Sequence, residues 1–151
     1  MTTDDTTWAL VTGAAGGIGA AIVERLLEAG HRVAATDRAG LDRLDQLDRR
    51  YGERLDRAES DVCDPAAIER LVASLEERGP IGAVVTVAGV QKTGASEDYA
   101  LADWNRILHV NLTGTWIPIQ SVLRRFVQRG EGRVVTISSE IGLSGAPYYA
   151  A

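Results

Sequence analysis

The chain has 151 residues, 45% apolar and 25% charged, with 16 Lys+Arg against 21 Asp+Glu for a net charge of -5. These are the proportions of an ordinary globular protein with room for one core, and without a basic stripe they argue against a nucleic-acid surface. No apolar run approaches the roughly 18 residues of a membrane helix, and the single cysteine, Cys63, rules out an internal disulfide or a cysteine-cluster metal site.

Residues 1–6, MTTDDT, are polar and acidic where a secretory leader needs a basic and then an apolar segment. A cytoplasmic setting is therefore expected. Trp8 to Thr12 is a short apolar run ending at Gly13, the pattern of a fully buried strand. From Gly17 to Ala29, Ile18, Ile22, Val23, Leu26 and Leu27 recur at helical spacing, with Gly30 as the stop. Arg32 to Thr36 reads as strand two, Leu41 to Tyr51 as a helix stopped by Gly52, and Arg54 to Ser60 as strand three. The charges between Asp42 and Arg57 read as a solvated helix face. Asp64-Pro65 is an N-cap followed by a first-turn proline, opening a helix whose buried face is Ile68, Leu71, Val72 and Leu75.

Ile81 to Val87 is a strongly apolar fourth strand, followed by a polar loop from Gln91 to Ala102. Asp103 is the expected cap of a long helix reaching Arg129, with a kink or break between Gly114 and Pro118, where the proline removes a helix bond. Arg133 to Ser138 is strand five. Alternating strands and helices predict one α/β domain over residues 1–151, a doubly wound parallel sheet in the order 3-2-1-4-5. Beyond strand five only Ser139 to Ala151 remain, rich in Gly, Ala, Pro and Tyr, with no helix expected among them. A parallel sheet needs both faces covered, so the sequence reads as cut and later strands as missing.

Thr12-Gly13-Ala14-Ala15-Gly16-Gly17-Ile18-Gly19 joins strand one to its helix. Glycines at such a turn let backbone approach a pyrophosphate at the helix N-terminus, making Gly13, Gly17, Ile18 and Gly19 candidate dinucleotide contacts. Without a ligand, the same residues would simply be a tight turn. Asp37, at the end of strand two, is placed to accept from adenosine ribose hydroxyls and to repel a 2′-phosphate, favouring NAD over NADP. Arg38 follows directly and could instead pair with such a phosphate. Asp61 and Val62 are candidates for the adenine, and Val87, Ala88 and Gly89 offer small residues where a cofactor passes close to backbone.

Together with His109-Val110-Asn111-Leu112-Thr113-Gly114 and Val134-Val135-Thr136-Ile137-Ser138-Ser139, these motifs resemble, in order, the short single-domain branch of the short-chain dehydrogenase/reductase family. The resemblance covers Trp8 to Ala151. It implies hydride transfer between a nicotinamide and an alcohol or ketone carbon, with a small-molecule substrate and a homo-oligomeric parent. It further implies Ser139 as the residue that bonds the substrate oxygen and Asn111 as a proton-relay residue. The family's Tyr-x-x-x-Lys pair is not complete here. A phenol near pKa 10 is a poor base until a cation lowers it, and the one lysine, Lys92, matches no family position. The family's tyrosine would fall at or just beyond Ala151; Tyr149 is the alternative, more readily read as lining the substrate loop.

Where the family usually has Asn-Asn-Ala-Gly, this chain has Thr86-Val87-Ala88-Gly89, losing an amide that would tie the central strands. His31 and His109 lack partners at metal-ligand spacing, so no metal is expected. Trp104 and Trp116 read as packing groups or a subunit contact. Three readings compete: an NAD(P)-dependent oxidoreductase, in which these 151 residues alone have negligible turnover; a truncated, inactive dinucleotide-binding protein; or an extended-type relative working on nucleotide sugars, which would prefer TGxxGxxG and is opposed by the glycine spacing here.

Overall fold

In a computed structural model, which describes residues 7–151, five parallel strands form one sheet in the order β3-β2-β1-β4-β5. They are β1 (Trp8–Thr12), β2 (Arg32–Asp37), β3 (Leu55–Glu59), β4 (Ile81–Thr86) and β5 (Arg133–Thr136). The order is the one expected from the sequence. Residues 1–6, on which the leader argument rests, lie outside the described residues. Among the described residues, no helix is long and apolar enough to cross a membrane, and no cluster of three potential metal ligands occurs.

Every residue of β1 is buried, because helices cover both faces of the sheet there. Its side chains alternate between two cores. Trp8 and Leu10 join Ile68, Val72, Val122 and Phe126 beneath α3 (Pro65–Glu76) and α5 (Gly114–Arg129). Val11 joins Val23, Leu27 and Leu44 beneath α1 (Gly17–Glu28) and the segment leading into α2 (Asp45–Tyr51). Each such aliphatic side chain contributes about 1.5–3 kcal/mol by leaving water. At the sheet edge the four residues of β5 are all exposed.

Several local expectations are corrected. The helix expected from Leu41 opens as a 3-10 turn, Leu41–Leu44, and becomes α-helical only at Asp45. The charges after it are more than a solvated face: Arg57 donates to Asp45 and Asp48 at 2.5 and 2.8 Å, pinning α2 to β3. Asp103 is not a cap. Helix α4 (Leu101–Leu108) has Ala100 at its N-cap, and the Ala100 carbonyl accepts the Asp103 and Trp104 amides. Asp103 lies inside the first turn, where its charge suits the helix dipole, and its carboxylate pairs with Lys92.

The long helix does change winding, but one turn earlier than expected. His109–Thr113 forms a π-helical turn between α4 and α5, and α5 runs through Pro118 to Arg129. A return from i+5 to i+4 bonding already disrupts the ladder, so the proline's missing donor falls next to an existing irregularity. After β5 a single turn, α6 (Ile141–Ser144), forms where no helix was expected.

The tie between central strands survives the loss of the family's asparagine. The Thr12 hydroxyl, fully buried, accepts from the amides of Val87 and Ala88 at 3.1 and 3.3 Å. Thr86, also buried, donates its hydroxyl to the Val135 carbonyl at 3.5 Å. Thr12→Val keeps the shape but leaves two amides without their acceptor. It is expected to lower stability by about 1–3 kcal/mol in urea unfolding, with Thr12→Ser close to the parent; equal midpoints for Val and Thr would contradict the tie.

Candidate functional site

The strand-to-helix turn after β1 is built by backbone crowding. Gly13 adopts φ +64°, and a Cβ there would lie 2.6 Å from the Ala88 nitrogen. At Gly19 a Cβ would lie 2.1 Å from the Gly13 carbonyl oxygen. Only glycine fits either place. Gly17 has open space around it, so its lack of a side chain leaves room at the start of α1. Gly16 holds the cap position without any side-chain cap, which leaves the first-turn amides of α1 to a ligand.

A cleft of about 300 Å³ opens above this turn, at the C-terminal ends of the strands. All ten residues expected to contact a dinucleotide line it: Gly13, Gly17, Ile18, Gly19, Asp37, Asp61, Val62, Val87, Ala88 and Gly89. Arg38, Ser60, Val90, Arg106 and Val110 line it as well. Of these, Ser60, Val90, Arg106 and Val110 were not singled out by the sequence. Ser60 ends a weak strand, and the other three belong to segments read by their neighbours' motifs.

The acidic residues of the cleft have local duties. Asp37 accepts the Ala15 amide on one carboxylate oxygen at 3.0 Å and the Arg38 amide on the other at 2.7 Å. Asp61 accepts the Cys63 amide at 2.8 Å. Val62 is buried against Gly114, where a Cβ would approach its Cγ2 to 2.7 Å. Burial raises the Cys63 thiol pKa above its ordinary value; the Asp61 charge and hydrogen bond add to this, and Arg38 opposes it. The thiol donates to the His109 carbonyl at 3.5 Å, joining the β3–α3 connection to the π turn.

Ser139 and Asn111 line a second cavity, of about 340 Å³, together with Gln91 and Tyr149. Val90 lines both cavities and so forms their common wall. Asn111 grips that wall: its side-chain oxygen accepts the Val90 amide at 2.8 Å and its side-chain nitrogen donates to the Val90 carbonyl at 2.9 Å. The Ser139 hydroxyl accepts the Ile141 amide at 3.2 Å, which leaves its proton for another acceptor. The Tyr149 hydroxyl accepts from Gln91 Nε2 at 2.9 Å, and the Tyr148 carbonyl accepts the Gly94 amide at 2.9 Å, clamping the polar loop to the last residues.

The crowding at the turn is directly testable. Gly19→Ala is expected to destabilise the protein by about 1–3 kcal/mol because the Gly13 carbonyl must move, while Gly17→Ala leaves thermal unfolding unchanged. Matching melting curves for the two variants would refute the crowding.

The residues from 7 to 151 match the family model described as short chain dehydrogenase. The chain is 38% identical over 136 residues to D-threitol dehydrogenase of Mycolicibacterium smegmatis, covering 87% of this chain and 52% of that protein. It is 33% identical over 141 residues to a 3-oxoacyl-acyl-carrier-protein reductase of Aquifex aeolicus, covering 90% of this chain and 56% of that one. Among solved structures, actinorhodin polyketide ketoreductase with NADPH superposes with a TM-score of 0.90 at 38% identity, over 99% of this chain and 59% of that chain. The chain thus spans about half the length of the curated relatives it matches. A sheet in the expected order, a glycine turn closed by backbone contact and a family match over nearly every residue converge: the chain belongs to the short-chain dehydrogenase/reductase family.

Proposed function

We propose that this chain is a single dinucleotide-binding domain serving an NAD(P)-dependent oxidoreductase that interconverts a small alcohol and its ketone. One observation carries the reading: the ten residues chosen for a dinucleotide share one cleft, and that cleft shares the Val90 wall with the cavity of Ser139 and Asn111. The cleft also fits the group chemically. Its floor is backbone too crowded for any Cβ, and it holds the Ser60 hydroxyl, buried with no hydrogen-bond partner. When bound, the dinucleotide supplies or accepts a hydride at its nicotinamide ring.

The chain's own residues do the rest. The amides at the start of α1 and the glycines beneath them hold the pyrophosphate, and Val62 and Asp61 receive the adenine. Ser139 donates its free proton to the substrate oxygen, polarising the carbon that gains or loses hydride. Asn111 fixes Val90 through both ends of its side-chain amide and is the residue assigned to the proton relay. Tyr149 forms a wall of the substrate cavity. Its partner is the uncharged Gln91 and the one lysine is tied to Asp103, so it lacks the cation that a general-base phenol requires.

The names of the relatives, a threitol dehydrogenase and two ketoreductases, support alcohols or ketones as the substrate class. The dinucleotide reading is tested by titrating the chain with NADH and NADPH and following nicotinamide fluorescence. Saturable binding of one or both is expected, weakened at least about tenfold by Gly13→Val, whose side chain would strike Ala88; no binding of either would overturn it.

A homo-oligomer belongs to the same proposal. Trp104, Leu108, Leu112 and Trp116 are 38%, 38%, 67% and 50% exposed along α4, the π turn and α5, an apolar stripe too large to leave in water. Sedimentation is expected to show self-association that Trp116→Glu weakens. A monomer at every concentration would remove this part.

A further inference from the structure

Ala15 stands in the glycine turn between β1 and α1, and side chains from the end of β2 and beyond hold both of its backbone groups. Its amide donates to the Asp37 carboxylate at 3.0 Å, and its carbonyl accepts from Arg43 Nη1 at 3.2 Å. These two groups belong to successive peptide planes, because each plane joins one residue's carbonyl to the next residue's amide. The Arg43 bond therefore fixes the plane that carries the Gly16 amide, which itself donates to the Gly13 carbonyl at 3.1 Å.

The residues that follow explain why such a grip is needed. Gly16 caps α1 and Gly17 opens it, and a Cβ on Gly17 would meet open space. Two glycines in succession have little backbone stiffness of their own, yet the first-turn amides must be aimed to hold an anion. Ala15 is the last residue with a side chain before that pair, and its methyl is buried with Leu41 and Leu44.

Arg43 is anchored from both sides. It belongs to the 3-10 turn Leu41–Leu44, whose two leucines are buried. Its amide donates to the Gly40 carbonyl at 3.2 Å, and Arg57 from β3 donates to the Leu41 carbonyl at 3.1 Å. Gly40, at φ +79°, brings the chain alongside Ala15: a Cβ there would lie 3.6 Å from the Ala15 Cβ. Arg43 stands outside the lining of the cleft, so its guanidinium acts on the turn from behind.

We infer that Arg43 is a positioning residue: through the Ala15 carbonyl it holds the amides at the start of α1 in the orientation that receives the pyrophosphate. The inference rests on the dinucleotide reading proposed above and adds to it a residue that never touches the ligand. Amides held in place bind an anion without first giving up backbone freedom. Loss of the grip therefore weakens binding although no contact to the ligand is removed.

Isothermal titration with ADP, which carries a pyrophosphate, and with adenosine, which lacks one, isolates the effect without any turnover. Arg43→Ala is expected to weaken ADP binding at least about fivefold and to leave adenosine unchanged. The factor should be the same at about 0.05 M and about 0.5 M salt, because a hydrogen bond within the protein is not screened as a distant charge is. In the free variant the Gly16 amide should exchange with deuterium faster than in the parent, while the amides of β1 keep their rates. Arg43 is exposed, so the variant is expected to fold, with circular dichroism as the check. Arg43→Gln, which keeps much of the stem, is a second variant with the same expected loss. An unchanged ADP affinity, an equal loss for adenosine, a loss that disappears at high salt or an unchanged Gly16 exchange rate would overturn the positioning role and leave the dinucleotide reading standing. Failure of the parent chain to bind ADP, NADH and NADPH would overturn both.

Discussion

Three stretches of backbone meet at one point, and the structure is organised around that meeting. Gly13 turns back after β1 with its α-carbon against Ala88, beyond β4, while Gly19 in α1 packs its α-carbon on the Gly13 carbonyl. The contact is main chain on main chain, so no side chain can substitute for it and no repacking can relieve an added methyl. It sets how closely α1 approaches the sheet and therefore where its amides point. The Thr12 hydroxyl then ties the turn to Val87 and Ala88, so that the floor of the cleft is one bonded unit across two strands.

Much of this fold was legible because parallel strands buried on both faces leave unmistakable apolar runs. β1, β2 and β4 are of this kind, and their limits fall within a residue of expectation. Where the reading failed, a local rule met a competing partner. Asp103 has the composition of a cap, but Lys92 from the preceding loop takes its carboxylate and the helix begins at Leu101. Pro118 marks a real irregularity in the long helix, yet the winding changes at His109–Thr113, because Asn111 must face Val90 across the chain. Nothing within five residues of Asn111 encodes that demand. Likewise Thr86 and Thr12 replace a missing asparagine by bonds to strands far away in sequence, a substitution that no local pattern reveals.

The candidate site was legible to the degree that it is made of backbone. Glycines announce close approach, an acid ending a strand reads as a partner for a ribose, and these residues do line one cleft. What the sequence could not supply is the state of each side chain once folded. Asp37 reads as a carboxylate free for a ligand and is bonded to two amides; Arg38, read as a residue that could pair with a phosphate, lines the same cleft. Ser60 and Arg106 carry no motif, yet both line the cleft, and the buried Ser60 hydroxyl has no partner there.

The π turn has a consequence for how such a chain can change over generations. Five residues, His109–Thr113, wind where a regular helix would use fewer, so the segment carries one residue more than its length requires. Deleting that residue would make the helix more regular, and by ordinary measures of helical geometry better. It would also rotate the Asn111 amide by about 100° away from Val90, releasing the wall that both cavities share. Drift toward a tidier helix therefore runs against retention of the site, and the irregular winding persists only while something depends on where Asn111 points.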